Sequence, residues 1–210
     1  IEKVYEIGKD FRNEGMDRNH NPEFTMLEFY EAYSDLSDMI SLTENLIKHS
    51  VSIISKDMII SFNNEKINFN KNFKSFDFFK ILKDKSKKEF MEMSDAEIYQ
   101  FLNSKDILGE WDPINKLNRG KLLDKAFSHY VEPYLIQPTF ITNYPIEISP
   151  LAKKSKKNES IVERFELFIG GMEIANAFSE LNDPIDQKAR LEKQSVLREL
   201  GDDEAQTLDL

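Results

Sequence analysis

The chain contains no cysteine among its 210 residues. That absence excludes disulfides and thiolate-ligated metal sites, and it fits a cytoplasmic setting. No stretch approaches the ~18 consecutive apolar residues that a membrane-spanning helix needs, so no membrane partner is expected. The N-terminus lacks the pattern of a signal peptide. Histidine is scarce: His20, His49 and His129 lie far apart, which leaves a zinc cluster without ligands. Positive charge is in deficit, with 28 Lys and Arg against 38 Asp and Glu and a net charge of −10. Such a balance argues against a broad basic face that grips a polyanion. Two local basic runs, Lys83 to Lys88 and Lys153 to Lys157, read as solvated loops, with nucleic-acid contact as the alternative. No internal repeat or long low-complexity linker is present.

What remains is a composition of 40% hydrophobic and 31% charged residues, enough for one sizeable core with an inserted subdomain. The chain opens directly on a strand, Val4 to Phe11, so Ile1 is expected to be a boundary and not a natural start. From Asp35 the pattern turns helical, with Leu36, Met39, Ile40, Leu46, Ile47, Val51 and Ile54 at i, i+3, i+4 spacing. That helix should lay its apolar stripe on a sheet. Residues 56–71 read as a hairpin turning at Asn63-Asn64. Residues 76–84, 94–104 and 113–131 read as helices, with Ser94 and Glu97 forming a capping box and Pro113 in a first turn. Residues 72–131 are thus expected to be a mostly helical insertion. Residues 138–149 return to strand character. A second hairpin should turn at Gly170-Gly171, and Asp183-Pro184 should open a helix to about Leu200. The expected fold class is α+β, an antiparallel sheet flanked by helices.

Residues 11–30, FRNEGMDRNHNPEFTMLEFY, place charges where a buried hairpin should be apolar. Strand parity puts Asp10, Arg12 and Glu14 on one face of the first strand and Phe11 on the other. On the second strand Phe24, Met26, Glu28 and Tyr30 share a face, with Leu27 and Phe29 opposite. Each strand is therefore expected to have an apolar side for a core. An arginine among acids and aromatics suits an anionic ligand that also carries a flat ring or a cation. A solvated sheet face with an incidental ion pair fits the same pattern.

A second constellation lies at the Gly170-Gly171 turn. A two-residue turn sets Phe168 opposite Glu173 and Glu166 opposite Ala175, which makes Glu166 and Glu173 diagonal neighbours on one face. With no Lys or Arg expected on that face, the two carboxylates call for a cation between them. Mg²⁺ takes one or two carboxylates plus phosphate oxygens and suits such a pair; a solvated acidic face is the alternative. Asn176 and Glu180 have the opposite parity to Glu173, so a shared site requires a bulge between residues 173 and 176.

The segment Phe11-Arg12-Asn13-Glu14-Gly15, with His20-Asn21-Pro22-Glu23-Phe24-Thr25 and Glu28-Phe29-Tyr30, resembles the second signature motif of class II lysyl-tRNA synthetases. The runs FITNYPIEISPLAKK, RFELFIGGMEIANAFSELNDP and GDDEA resemble the same family. Met172 departs from it, standing where many relatives carry a basic residue. Residues 56–131 match only in outline. The resemblance implies ATP-dependent activation of L-lysine to lysyl-adenylate, transfer to tRNA(Lys), a homodimer and Mg²⁺. Carried over residue by residue, it implies Arg12 as the catalytic contact to the α-phosphate and the substrate carboxylate. Glu14, His20, Asn21 and Phe24 would bind ATP, and Glu166 and Glu173 would bind the metal. Glu28, Tyr30, Asn176 and Glu180 would bind lysine. The family's first and third motifs are not in the chain, which is therefore expected to be a catalytic-core fragment. A paralogue that lysylates a translation factor, and an inactive module that binds ATP or lysine, are the competing readings.

Overall fold

The computed structural model describes residues 1–12, 20–109 and 117–199. Two units make up the chain, Ile1–Asp35 and Leu36–Leu210.

The first unit is an antiparallel hairpin of β1 (Lys3–Phe11) and β2 (Glu23–Glu31). Its register runs from Lys3 opposite Glu31 to Phe11 opposite Glu23, and Arg12 N–H donates to the Pro22 carbonyl at 3.0 Å. The side expected to be apolar is not buried. Phe11 is 74% and Leu27 41% exposed, with Tyr5 and Ile7 exposed beside them, and Phe29 is half-buried. Two strands alone offer nothing for those side chains to pack into.

The second unit is built on a four-stranded sheet ordered β5-β6-β7-β8, comprising β5 (Lys74–Asp77), β6 (Thr139–Thr142), β7 (Arg164–Ile169) and β8 (Met172–Phe178). Strand parity divides its residues between two layers. Phe140, Phe165, Leu167, Ile169, Ala175 and Ala177 face α1 (Leu36–Ile54) and the hairpin of β3 (Ile59–Phe62) and β4 (Glu65–Asn68). The α1 stripe of Leu36, Met39, Ile40, Ile47 and Val51 meets them there, as its spacing predicts. Ile141, Phe168 and Phe178 face the other way, onto α2 (Phe78–Ser86), α3 (Asp95–Asn103) and α4 (Arg119–Tyr130). Phe78 and Phe127 stack there with centroids 4.7 Å apart.

Local chemistry sets most element ends. Asn63 and Asn64 take φ of 47° and 65°, which closes the β3–β4 turn. Ser94 and Glu97 complete the capping box of α3. The Asp183 carboxylate accepts from Ile185 N–H at 2.9 Å at the start of α5 (Pro184–Glu199).

Three expectations need correction. The segment 72–131 contributes a strand, β5, which pairs in parallel with β6 and makes the sheet mixed. Four residues, KSFD, carry too little periodicity to announce it. The last helix of that segment starts at Arg119, capped by the Asn118 side chain, and Pro113 lies outside the described residues. Strand β6 stops at Thr142 because Asn143 adopts φ 58° and residues Ile146–Ile148 coil into a 3₁₀ turn.

Candidate functional site

On β7–β8 the glycines of the turn have φ of +66° and +75°, the left-handed conformation a type I′ turn requires. Phe168 stands opposite Glu173, as the turn predicts. The register then slips by one residue: Leu167, not Glu166, pairs with Ala175, and Glu166 pairs with Asn176. Ile174 is the extra residue, and the bulge restores Asn176 to the face of Glu166 and Glu173. The expected pairing of Glu166 with Ala175 assumed an unbroken ladder. Glu180 lies exposed beyond the end of β8, bridged to Ala152.

The expectation that this face lacks a basic residue is also wrong. Arg164, two residues from Glu166 on the same strand, occupies it. Its Nη2 meets Glu166 Oε1 at 2.5 Å, and its Nε donates to Asn176 Oδ1 at 3.1 Å. Its Nη1 donates to the Ile148 carbonyl at 2.7 Å and to Ser149 Oγ at 2.9 Å. The guanidinium carbon lies 4.8 Å from the centre of the Tyr144 ring, and the Tyr144 hydroxyl donates to Glu166 Oε2 at 2.6 Å. Parity alone could have found Arg164, because residues two apart on a strand share a face. Tyr144 could not have been found that way, since its contact spans 22 positions in sequence.

Glu166 is 8% exposed. Burial pushes its carboxyl above the usual range, while Arg164 and the Tyr144 hydroxyl pull it back. Burial, then the adjacent Glu166, hold the Tyr144 phenol well above its ordinary value, so it stays a donor. Glu132, whose carboxylate accepts from Ser128, is raised by burial too, and Asp124 and Glu166 add to the rise. Among the described residues no group of three or more His, Cys, Asp or Glu could cage a metal. Glu166 and Glu173 share a face, however, and each Glu166 oxygen keeps a lone pair beyond its protein partner. That donor set fits an ion that arrives with phosphate oxygens, not a resident cation in a closed cage.

In the first unit, Phe24, Met26, Glu28 and Tyr30 share a face with Val4, Glu6, Gly8 and Asp10 through direct pairing. The Arg12 guanidinium carbon lies 5.3 Å from the centre of the Phe24 ring. Asn21 Nδ2 donates to the Glu23 carbonyl at 2.9 Å, and His20 is exposed. Glu28 stands directly opposite Glu6, a carboxylate the sequence pattern had not singled out. Glu14 and residues 201–205 lie outside the described residues. The expected residues thus fall into two sets, one in each unit.

Several lysines of the basic runs are engaged locally. Lys83 pairs with Glu89, Lys87 with Asp84 at 3.2 Å, and Lys154 with Asp186 at 3.2 Å. Lys85 and Lys88 lie over the rings of Tyr134 and Phe101. No helix among the described residues is long and apolar enough to cross a membrane.

Comparison with known proteins gives a consistent picture. The family described as tRNA synthetases class II (D, K and N) matches residues 1–209. Over 209 residues the chain is 46% identical to a lysine–tRNA ligase of Methanoculleus marisnigri, covering 100% of this chain and 41% of the relative. Lysine–tRNA ligases of Lactiplantibacillus plantarum and Staphylococcus epidermidis are 44% and 45% identical, with 100% of this chain and 41% and 42% of the relatives covered. The chain therefore spans about two fifths of the length of these curated relatives.

Proposed function

The chain belongs to the class II tRNA synthetases (D, K and N), and from that premise we propose that it carries residues with which a lysine–tRNA ligase activates its amino acid. In this reading the L-lysine carboxylate attacks the α-phosphorus of ATP. A carboxylate–phosphorus bond forms, the bond to the β-phosphate oxygen breaks, and lysyl-adenylate and pyrophosphate result. A hydroxyl at the 3′ end of tRNA(Lys) then takes the lysyl group as an ester, and AMP leaves. Such chemistry needs positioning and charge stabilisation, with no covalent enzyme intermediate.

Arg12 neutralises the α-phosphate oxygens and orients the lysine carboxylate. Phe24 offers its ring to adenine, His20 meets the distal phosphates, and Glu14 and Asn21 complete the ATP contacts. Glu28 and Glu180 receive the ε-ammonium, and Tyr30 and Asn176 orient the bound lysine through hydrogen bonds. Selection follows from charge, because only a side chain that ends in a cation gives these carboxylates a partner. Glu166 and Glu173 would hold Mg²⁺, which when bound draws charge from the phosphate oxygens. The observation that carries the reading is the bulge at Ile174, which gives Glu166, Glu173 and Asn176 one face. The tRNA substrate is supported by the names of the relatives, the homodimer by the motif resemblance, and a cytoplasmic setting by the lack of cysteine.

Glu180→Gln tests the lysine pocket. Calorimetry should show lysine affinity falling by about tenfold or more while ATP affinity changes little; equal losses for both ligands would remove Glu180 from the pocket. A second reading is that the chain binds ATP or lysine without turnover. Lysine-dependent exchange of pyrophosphate into ATP by the chain would refute that reading, and calorimetric binding without exchange would support it.

A further inference from the structure

Arg164 touches both Glu166, the proposed metal ligand, and Asn176, the proposed lysine contact, yet neither the motif resemblance nor the parity reading gave it a role. Its three guanidinium nitrogens are spread over the Glu166 carboxylate, the Asn176 carboxamide, and the Ile148 carbonyl with Ser149 Oγ. Tyr144 closes the arrangement, lying against the guanidinium while donating to the second Glu166 oxygen. The cation therefore has fixed partners on three sides and a ring against its face. Its side chain is 16% exposed, so it is a built part of the face and not a solvated charge.

A consequence follows for Asn176. A guanidinium can only donate hydrogen bonds, so the Asn176 atom 3.1 Å from Arg164 Nε has to be the oxygen. Its amide nitrogen is then turned away from Arg164, on a residue that is itself exposed. Asn176 thus turns Nδ2 outward as a donor, and that group meets an acceptor, not an ammonium. In a lysine pocket that acceptor is a carboxylate oxygen.

We propose that Arg164 is a positioning residue for the ligand site: it fixes the Glu166 carboxylate and orients Asn176 so that Nδ2 serves as the donor offered to the ligand. This rests on the reading of Asn176 as a lysine contact. Lysine cannot replace arginine in the role, because one ammonium point charge cannot satisfy the planar set of acceptors on Glu166, Asn176 and the 148–149 segment together.

The test titrates L-lysine calorimetrically into the unsubstituted chain and into R164K, N176A, N176D and the R164K/N176A double variant, with thermal unfolding of each recorded alongside. Lysine affinity should fall about tenfold in R164K, as expected for one misplaced hydrogen bond to a charged ligand. The double variant should bind no more weakly than N176A, because both changes remove the same contact. N176D, which exchanges the donor for an acceptor, should lose affinity by about as much as N176A. Unchanged lysine affinity in R164K, additive losses in the double variant, or N176D binding as tightly as the parent would each overturn the proposal. A second readout needs neither lysine nor a folded R164K variant. In the ¹⁵N spectrum of the unsubstituted chain the Arg164 Nε–H should exchange slowly with water, and exchange at the rate of an exposed guanidinium would refute the positioning role. Slow exchange with no lysine binding by the unsubstituted chain would keep the Arg164 arrangement, overturn its assignment to a lysine site, and sink the lysine reading of Asn176.

Discussion

Asp186 is a single residue that carries a cluster of charged contacts. Arg190 Nη2 lies 2.6 Å from one of its oxygens and Nε 3.1 Å from the other, and Lys154 is 3.2 Å away. The Arg190 hydrogen bond is the main reason its carboxyl sits below the ordinary 3.8. Arg190 in turn donates to the Ala152 carbonyl at 2.7 Å, which ties α5 to the 149–152 segment. Because the folded state lowers this acid, its contribution is present above the unfolded value and disappears as pH falls through the folded one. Asp186→Asn should therefore lower the thermal midpoint at neutral pH, and the gap to the parent should close below pH 3.8. A gap that stayed constant with pH would show that the carboxylate charge contributes nothing. Ser94 gives a second test at this scale. It accepts from Glu97 N–H while the Glu97 carboxylate accepts from Ser94 N–H, so Ser94→Ala should cost about 1 kcal/mol in urea denaturation. The capping box was legible in sequence because its partners lie three residues apart. The Tyr144 contact to Glu166 was not, because nothing local specifies it.

Among the elements, the β7–β8 hairpin holds the most information. Its turn follows from Gly170-Gly171, but its register does not, because the extra residue at Ile174 leaves no mark in the alternation. A Cβ on Gly170 would come within 3.0 Å of the Phe62 ring, whereas one on Gly171 meets its nearest atom, the Glu132 carbonyl oxygen, at 3.7 Å. Both positions have positive φ, so alanine at either should cost about 1–2 kcal/mol through backbone strain. Gly170→Ala should be the more destabilising of the two, because Phe62 must also move. Chemical denaturation of the two variants compares them, and equal losses would show that Phe62 yields freely. The bulge explains why strict parity separated Glu173 from Asn176 while the fold unites them. The β5 strand makes the complementary point: only its parallel partner β6 gives four residues a strand identity.

At the scale of the whole molecule, the second unit packs its sheet between two apolar layers, whereas the first unit is a two-stranded hairpin. Tyr5, Ile7 and Phe11 are 73%, 66% and 74% exposed, so their burial contributes little to holding the hairpin. Hydrogen exchange of the chain should thus find β1 and β2 amides exchanging well before those of β6 and β7, whose residues Phe140, Ile141, Phe165 and Leu167 are all buried. Protection as strong in β1 as in β7 would overturn that ordering. The sequence by itself determined the family, through motifs whose residues lie close together along the chain, and it determined the starts of α3 and α5, the glycine turn and the α1 stripe. Each of these depends on interactions within a few residues, where spacing is sufficient. Only the tertiary structure decided that Glu166 faces Asn176, that Arg164 and Tyr144 hold its carboxylate, and that the 74–77 segment is a strand. Those outcomes depend on strand register and on contacts between distant segments, which the sum of the packing selects and no local pattern records.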